Sequence, residues 1–344
     1  MCALALGMIV TTSAGMADPK AISPEVHPDR RVTFRLLAPK TAEVTLWGEW
    51  IAKYNTVERM TRDGEGVWSV TVGPLVPAIY SYLFLADGVA IREGSLVEIP
   101  GDRPADYDVQ AVTSGIVHQH TYVSSVGLGV RRANVYTPPG YSRDRRARYP
   151  VLILLHGSGD NESSWTAIGR AQAIADNLIA AGRMAPMILI MPEGGGGRRE
   201  FQDGLIRDVF PLVESNYRTR PGRQFRAIAG YSMGAFQALW FGLDHPEAVG
   251  GLGIFGGGIW GEEGRADVVT FAARSKYAFR PFIIRVGDRD MNRTLSDKLD
   301  SALTDHCISR DYRVLAGAGH TWPTWRQCLI EMLPLMFPKE KTIP

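Results

Sequence analysis

The sequence predicts a two-part chain, a doubly wound α/β sheet preceded by a small all-β sandwich. Three observations carry this. From Arg31 to about Val89, short runs alternate apolar and polar residues between turn signals, the mark of half-buried antiparallel strands. Beyond Tyr149, uninterrupted apolar runs alternate with helix-like stretches, as parallel strands buried on both faces require. The length, 344 residues, suits two domains at roughly 150 residues each.

The chain opens with "MCALALGMIVTTSAGMA". Apolar residues give way to small ones up to Ala17, so residues 1–17 read as a signal peptide, although no basic segment precedes them. The stretch is too short and interrupted for a membrane span, which needs about 20 apolar residues. Export implies a secreted or periplasmic protein. Cleavage would remove Cys2 and leave Cys307 and Cys328, as a disulfide or as two buried free thiols.

Residues 18–112 are expected to form the sandwich. Its strands are "VTFRLLAP", "AEVTLWGEW", "GVWSVTV" and "IYSYLFLADG", punctuated by "DGEG" and "DG". Trp47, Trp50 and Trp68 lie in these runs, as a sugar-stacking platform or as core, and the alternation favours core. The polar, turn-rich "GDRPADYDVQAVTSG" is expected as a linker or crossover.

Residues 113–344 are expected to form the α/β domain. The strands are "YPVLILLHGSG", "PMILIMPEGG", "FRAIAG", "GGLGIFGGG", "PFIIRVGD" and "YRVLAGAG". Between them run "GRAQAIADNLIAAG", "LIRDVFPLVESNY", "GAFQALWFGLDHP" and "RTLSDKLDSALTDH", and "TWRQCLIEMLPLMF" closes the chain. Apolar residues at 45% and charged residues at 22% describe an ordinary globular protein, and a net charge of +2 gives no electrostatic case for nucleic acid. Neither a zinc-ligand spacing nor a phosphate-cradling glycine loop is present, so no cofactor or metal is expected.

The chemistry centres on "GYSMG". Ser232 lies between Gly230 and Gly234, after a strand and before a helix, where a sharp turn lifts a nucleophile above the sheet edge. A serine needs a base, and acid and base follow it in the chain. His320 directly follows the last strand, whereas His306 ends a helix, His245 ends the helix after the elbow and His156 precedes the serine in the oxyanion loop. "GDRD" supplies two acids, Asp288 and Asp290, either of which would orient His320 or cap the next helix. The oxyanion donors are expected from the N–H of Met233 and from Ser158, with Gly157 as the alternative.

"LLHGSGDNESSW", "DNLIAAGRMAPMILIMPEG", "AIAGYSMGAFQAL" and "GAGHTWPTWR" resemble carbohydrate esterase family 1, the feruloyl and acetyl xylan esterases related to esterase D-like hydrolases. The resemblance covers about residues 115–338. It implies an α/β-hydrolase with nucleophile Ser232, base His320 and, through its G-x-x-D pattern, acid Asp290. The chain departs at Ala235, where a second glycine is usual, and in the loop "PEGGGGRREF". "VTFRLLAPKTAEVTLWGEW" resembles the immunoglobulin-like domain related to carbohydrate-binding module family 48. The implied function is a secreted serine esterase removing feruloyl or acetyl groups from plant cell-wall polysaccharide. Trp165 and Trp260 are the candidates to stack on an aromatic acyl group, with packing in the core as the alternative for each. Siderophore lactone hydrolysis and mycolyl-type acyl transfer share such a triad, and a glycan-binding module with a dead hydrolase is the non-enzymatic alternative. The expected partner is an ester-substituted polysaccharide or oligosaccharide, with no nucleic acid and no membrane.

Overall fold

The computed structural model describes residues 22–51, 56–91, 95–273 and 277–337. The signal-peptide reading of residues 1–17, and Cys2 with it, lies outside these residues. Two compact units divide after Pro100.

The front unit contains β1 (Glu25–Val26), β2 (Val32–Leu37), β3 (Val44–Gly48), β4 (Glu58–Arg59), β5 (Thr61–Arg62), β6 (Val67–Val72), β7 (Ala78–Ala86), β8 (Val89–Ile91) and β9 (Leu96–Ile99). They pair as β1-β2-β6-β5 and β4-β3-β7-β8, with β9 also on β7. Period-two alternation turns Val32, Phe34, Val44 and Leu46 inward, and the Phe34 ring meets Tyr82 edge-on at 4.7 Å. Trp68 is buried and donates Nε1–H to the Ala38 carbonyl, while Trp50 stacks on Phe34 at 5.3 Å. Two of the three tryptophans thus serve the core, and no three-tryptophan platform is assembled.

In the second unit, residues 105–108 of the stretch expected as a linker are held against a helix. Asn177 donates Nδ2–H to the carbonyls of Asp106 and Asp108, and Arg183 pairs with Asp106 at 2.7 Å. The strands are β10 (Ile116–Val123), β11 (Val130–Thr137), β12 (Val151–Leu155), β13 (Ile188–Pro192), β14 (Arg226–Tyr231), β15 (Gly251–Phe255), β16 (Phe282–Gly287) and β17 (Asp311–Leu315). They form one sheet in the order β10-β11-β13-β12-β14-β15-β16-β17, parallel from β13 onward. Its helices are α1 (Ser164–Ala167), α2 (Ala171–Ala180), α3 (Arg198–Gly204), α4 (Phe210–Asn216), α5 (Met233–Asp244), α6 (Gly261–Ala273), α7 (Arg293–Asp305) and α8 (Trp322–Met336). A π turn over Leu205–Val209 joins α3 to α4, so the helix expected to begin near Leu205 starts earlier.

Alternate residues of each apolar strand feed two cores. Val151, Ile153 and Leu155 of β12 pack with α5, α6 and α7, whereas Leu152 and Leu154 pack with α2 and α8. Covering both faces is what makes these strands read as continuous apolar runs. Among the described residues no helix is long and apolar enough to cross a membrane. Cys307 and Cys328 are both free thiols, the first exposed and the second buried, where burial pushes its pKa up.

One charge interrupts the apolar run of β16. Arg285 is fully buried; it pairs with Asp311 at 2.7 Å and Glu331 at 3.1 Å, and donates to the carbonyls of Ile284 and Asp311. Burial works to raise the Asp311 carboxyl, but the hydrogen bond and charge of Arg285, helped by Arg313, hold it below the usual value. A depressed folded pKa means that the pair stabilises above the unfolded pKa of about 3.9 and is lost as pH falls through the folded value. Asp311 is 36% exposed, so solvent screens part of the attraction. Asp311→Asn is expected to cost on the order of 1 kcal/mol at neutral pH. In urea melts across pH, the gap from wild type should close as falling pH protonates the Asp311 carboxyl; a gap independent of pH would contradict this account.

Candidate active site

β14 ends at Tyr231 and α5 begins at Met233, so Ser232 makes the whole turn. Its backbone sits at φ 52°, ψ −121°, a conformation costing roughly 1–3 kcal/mol for a non-glycine residue. The Ser232 N–H donates to the Phe255 carbonyl of β15 at 2.9 Å, and the Ser232 carbonyl accepts from Ala235 at 3.0 Å. Crowding explains the flanking glycines. A Cβ on Gly230 would lie 2.6 Å from Gly234 backbone, and one on Gly234 would lie 2.6 Å from the His156 carbonyl oxygen.

The loop after β12 reaches Ser232 from the side. A Cβ on Gly157 would stand 3.3 Å from the Ser232 Cβ and 2.5 Å from the Tyr231 ring. His156 is buried and both ring nitrogens are engaged. Nε2 accepts from the Gly194 N–H at 2.7 Å, which leaves Nδ1–H to donate to the Gly157 carbonyl at 2.8 Å. That carbonyl shares a peptide plane with the Ser158 N–H, and a trans peptide points the two in opposite directions. His156 thereby sets the direction of the Ser158 N–H. Arg131 adds a second hold on the neighbouring loop, donating to the carbonyls of Glu193 and Gly194.

Asp290 follows β16 and is 5% exposed. Its Oδ1 accepts from the Asn292 N–H at 2.7 Å and lies 2.9 Å from Nδ1 of His320. The carboxylate can only accept, so Nδ1 carries the proton and Nε2 of His320 is left as an acceptor. Asp288 is exposed and accepts from the Gly317 N–H at 3.0 Å; it staples the turn after β17 instead. Trp325 spans the remaining gap. Its ring packs edge-on to His320 at 4.9 Å and stacks on Tyr231 at 5.2 Å. The structure thus hydrogen-bonds Asp290 to His320 and sets both one aromatic ring from the elbow. Among the described residues Ser232 Oγ makes no hydrogen bond with His320.

The two tryptophans expected against substrate part company. Trp165 takes the packing alternative: it is fully buried, donates Nε1–H to the Leu155 carbonyl at 3.0 Å, and packs edge-on to Tyr231 and Trp322. An indole with its donor satisfied inside the core presents no face to a ligand. Trp260 is 60% exposed just before α6, its ring 5.8 Å from Phe236 of the elbow helix. Sequence reasoning missed the double role of His156, the hold of Arg131 and the spacer Trp325. A histidine directly before the oxyanion-loop glycine hinted at the first. The other two depend on contacts remote in the chain.

The Esterase family profile matches residues 129–336. The endo-1,4-beta-xylanase/feruloyl esterase of Xylanibacter ruminicola is 31% identical over 94% of this chain, which spans 47% of that relative's length. The ferulic acid esterase of the anaerobic fungus Anaeromyces mucronatus superposes with a TM-score of 0.62 at 24% identity, over 68% of this chain and 96% of that one. The enterobactin esterase of Shigella flexneri superposes with a TM-score of 0.67 at 18% identity, over 89% of this chain and 93% of that one. These two share the fold. The profile match, which spans more than half of this chain, shows that the chain belongs to the Esterase family.

Proposed function

We propose that the protein is a serine esterase that removes feruloyl, or otherwise acetyl, groups from plant cell-wall polysaccharide. The observation that carries this is the His320–Asp290 hydrogen bond of 2.9 Å beside a serine held at φ 52° on a strand-to-helix elbow. In this reading Ser232 Oγ attacks the ester carbonyl while Nε2 of His320 takes its proton. Asp290 steadies the imidazolium without accepting the proton. The N–H groups of Met233 and Ser158 receive the developing oxyanion, each donor supplying roughly 2.7–4 kcal/mol. The imidazolium then protonates the departing sugar oxygen, and water activated by His320 hydrolyses the acyl-enzyme.

The feruloyl choice is supported by the 31%-identical relative, whose name carries that activity, and by Trp260, which offers an exposed ring near the elbow helix. Hydrolysis of a siderophore lactone is the second reading, supported by an enterobactin esterase that matches 89% of the chain. The xylanase/feruloyl esterase matches 94% at higher identity, which favours the cell wall. Export and a front unit of the immunoglobulin-like kind related to carbohydrate-binding modules belong to the same proposal. With Trp50 and Trp68 turned inward, that unit is read as a packed structural module more than as a sugar binder.

Ferulate release from methyl ferulate, measured beside acetate release from acetylated xylan, tests the reading. Ferulate should dominate, and Ser232→Ala should abolish both by about 10⁵–10⁶-fold in kcat. Acetate alone would mean a small acyl pocket; neither product from folded protein would turn attention to siderophore lactones and acyl transfer. Asp290→Asn should lower kcat by about 10⁴-fold, while Asp288→Asn, which loses a loop staple, should cost far less; the reverse order would reassign the acid. Trp260→Ala should raise KM for methyl ferulate by about tenfold and leave small acetyl esters unaffected. Equal effects on both substrates would remove Trp260 from an aromatic subsite.

A further inference from the structure

The residues discussed above sit at the carboxyl ends of the parallel strands. The amino ends have a different character. Two ten-residue stretches, "YSRDRRARYP" from Tyr141 and "YRTRPGRQFR" from Tyr217, hold eight arginines against one aspartate in a chain whose net charge is +2. The fold brings these stretches together. The Tyr149 N–H donates to the Arg218 carbonyl at 2.9 Å, Arg220 N–H returns to the Tyr149 carbonyl at 2.8 Å, and Tyr149 forms a parallel bridge with Thr219.

A hollow lies on each side of this seam. One, of about 720 Å³, is lined by His118, His120, Tyr141, Arg145, Asn216 and Tyr217 among others. The other, of about 660 Å³, is lined by Arg148, Tyr149, Arg220, Phe225 and Arg280 among others. Tyr141 of the first and Tyr149 of the second have ring centroids 5.3 Å apart, so the hollows are neighbours. Tyr149, Phe225 and Arg280 stand just before β12, β14 and β16, whereas Ser232 and Asp290 follow β14 and β16. At about 3.3 Å per residue, strands of this length separate the two ends by roughly 17–20 Å.

Some of these arginines are structural. Arg218 stacks on Tyr141 at 3.8 Å, Arg223 donates to the carbonyls of Pro246 and Val249, and Arg226 pairs with Glu214. Others are not consumed in this way. Arg145, Arg148 and Arg280 are exposed, and Arg148 uses one N–H on the Thr219 carbonyl. The nearby Asp144 spends Oδ1 on the backbone N–H groups of Arg146 and Ala147. Guanidinium forks match planar carboxylates two hydrogen bonds at a time. The tyrosine, histidine and asparagine groups around them suit sugar hydroxyls and ring faces. Two adjoining hollows fit a chain of sugars better than one small anion.

We propose that this arginine-lined end of the second unit is an accessory binding site for uronate-bearing polysaccharide, with carboxylates paired to Arg145, Arg148 and Arg280. The preference for a glycan over other polyanions rests on the esterase reading above; the basic seam itself does not. A polymer held here is anchored to the enzyme while another segment presents its ester at the opposite edge.

Affinity electrophoresis of the full chain carrying Ser232→Ala, in gels containing polygalacturonate or neutral arabinoxylan, tests the site. Polygalacturonate should retard the protein and arabinoxylan should not, and about 1 M salt should abolish the retardation. Adding Arg145→Ala, Arg148→Ala and Arg280→Ala should weaken binding about tenfold or more. With Ser232 restored, the triple variant should hydrolyse a small soluble ester within about twofold of wild type, which also reports that it folds. Equal retardation by neutral glycan, no retardation, or full binding by the triple variant would overturn the proposal. So would retardation by double-stranded DNA at lower concentration than polygalacturonate, in favour of nucleic acid. If polygalacturonate binds but small esters are not hydrolysed, the esterase reading falls and the anionic site stands.

Discussion

The close approach of β14, α5 and the loop after β12 is the constraint on which the rest of the second unit depends. With Gly230 and Gly234 both within 3 Å of foreign backbone once a Cβ is imagined, no larger residue lets the strand turn into the helix at this spacing. The neighbouring β15 carbonyl then fixes Ser232 at a positive φ. Strain of this kind persists only where the surroundings over-determine it. Here those surroundings are two filled cores, which cover alternate faces of the same five-residue strands.

Much of this was legible in the sequence because it is local. Apolar runs bounded by glycine mark β12, β14, β15 and β16 to within a residue or two, and the elbow pentapeptide carries its own reason for each glycine. Between Asp288 and Asp290 the sequence points to Asp290 only through the G-x-x-D resemblance. Both stand in one turn, and the structure separates them by burial and partner: Asp290 faces His320, and Asp288 holds Gly317. Trp165 misled for a related reason. Its position near the oxyanion loop is a one-dimensional fact, whereas the direction of its ring is set by Tyr231 and Trp322.

Two segments show where sequence reading fell short. α6 carries "GEEGRADVVTFAA", whose charged amino end hides a helix tied down chiefly by Val268 and Phe271. The stretch just after Pro100 reads as a linker because it is polar, yet the Asp106 and Asp108 carbonyls are claimed by Asn177 from α2. In both, a few tertiary contacts outweigh the local pattern, which no periodicity reports.

Trp325 has a consequence for how this site can change. One indole is the shared wall of the elbow, through Tyr231, and of the histidine loop, through His320. The serine side and the histidine side are therefore not two adjustable parts but the two faces of one spacer. A smaller ring would let both drift inward together, and a tilt that improved one contact would open the other. The geometry between Ser232 and His320 has, in effect, a single setting, stored in the ring of Trp325.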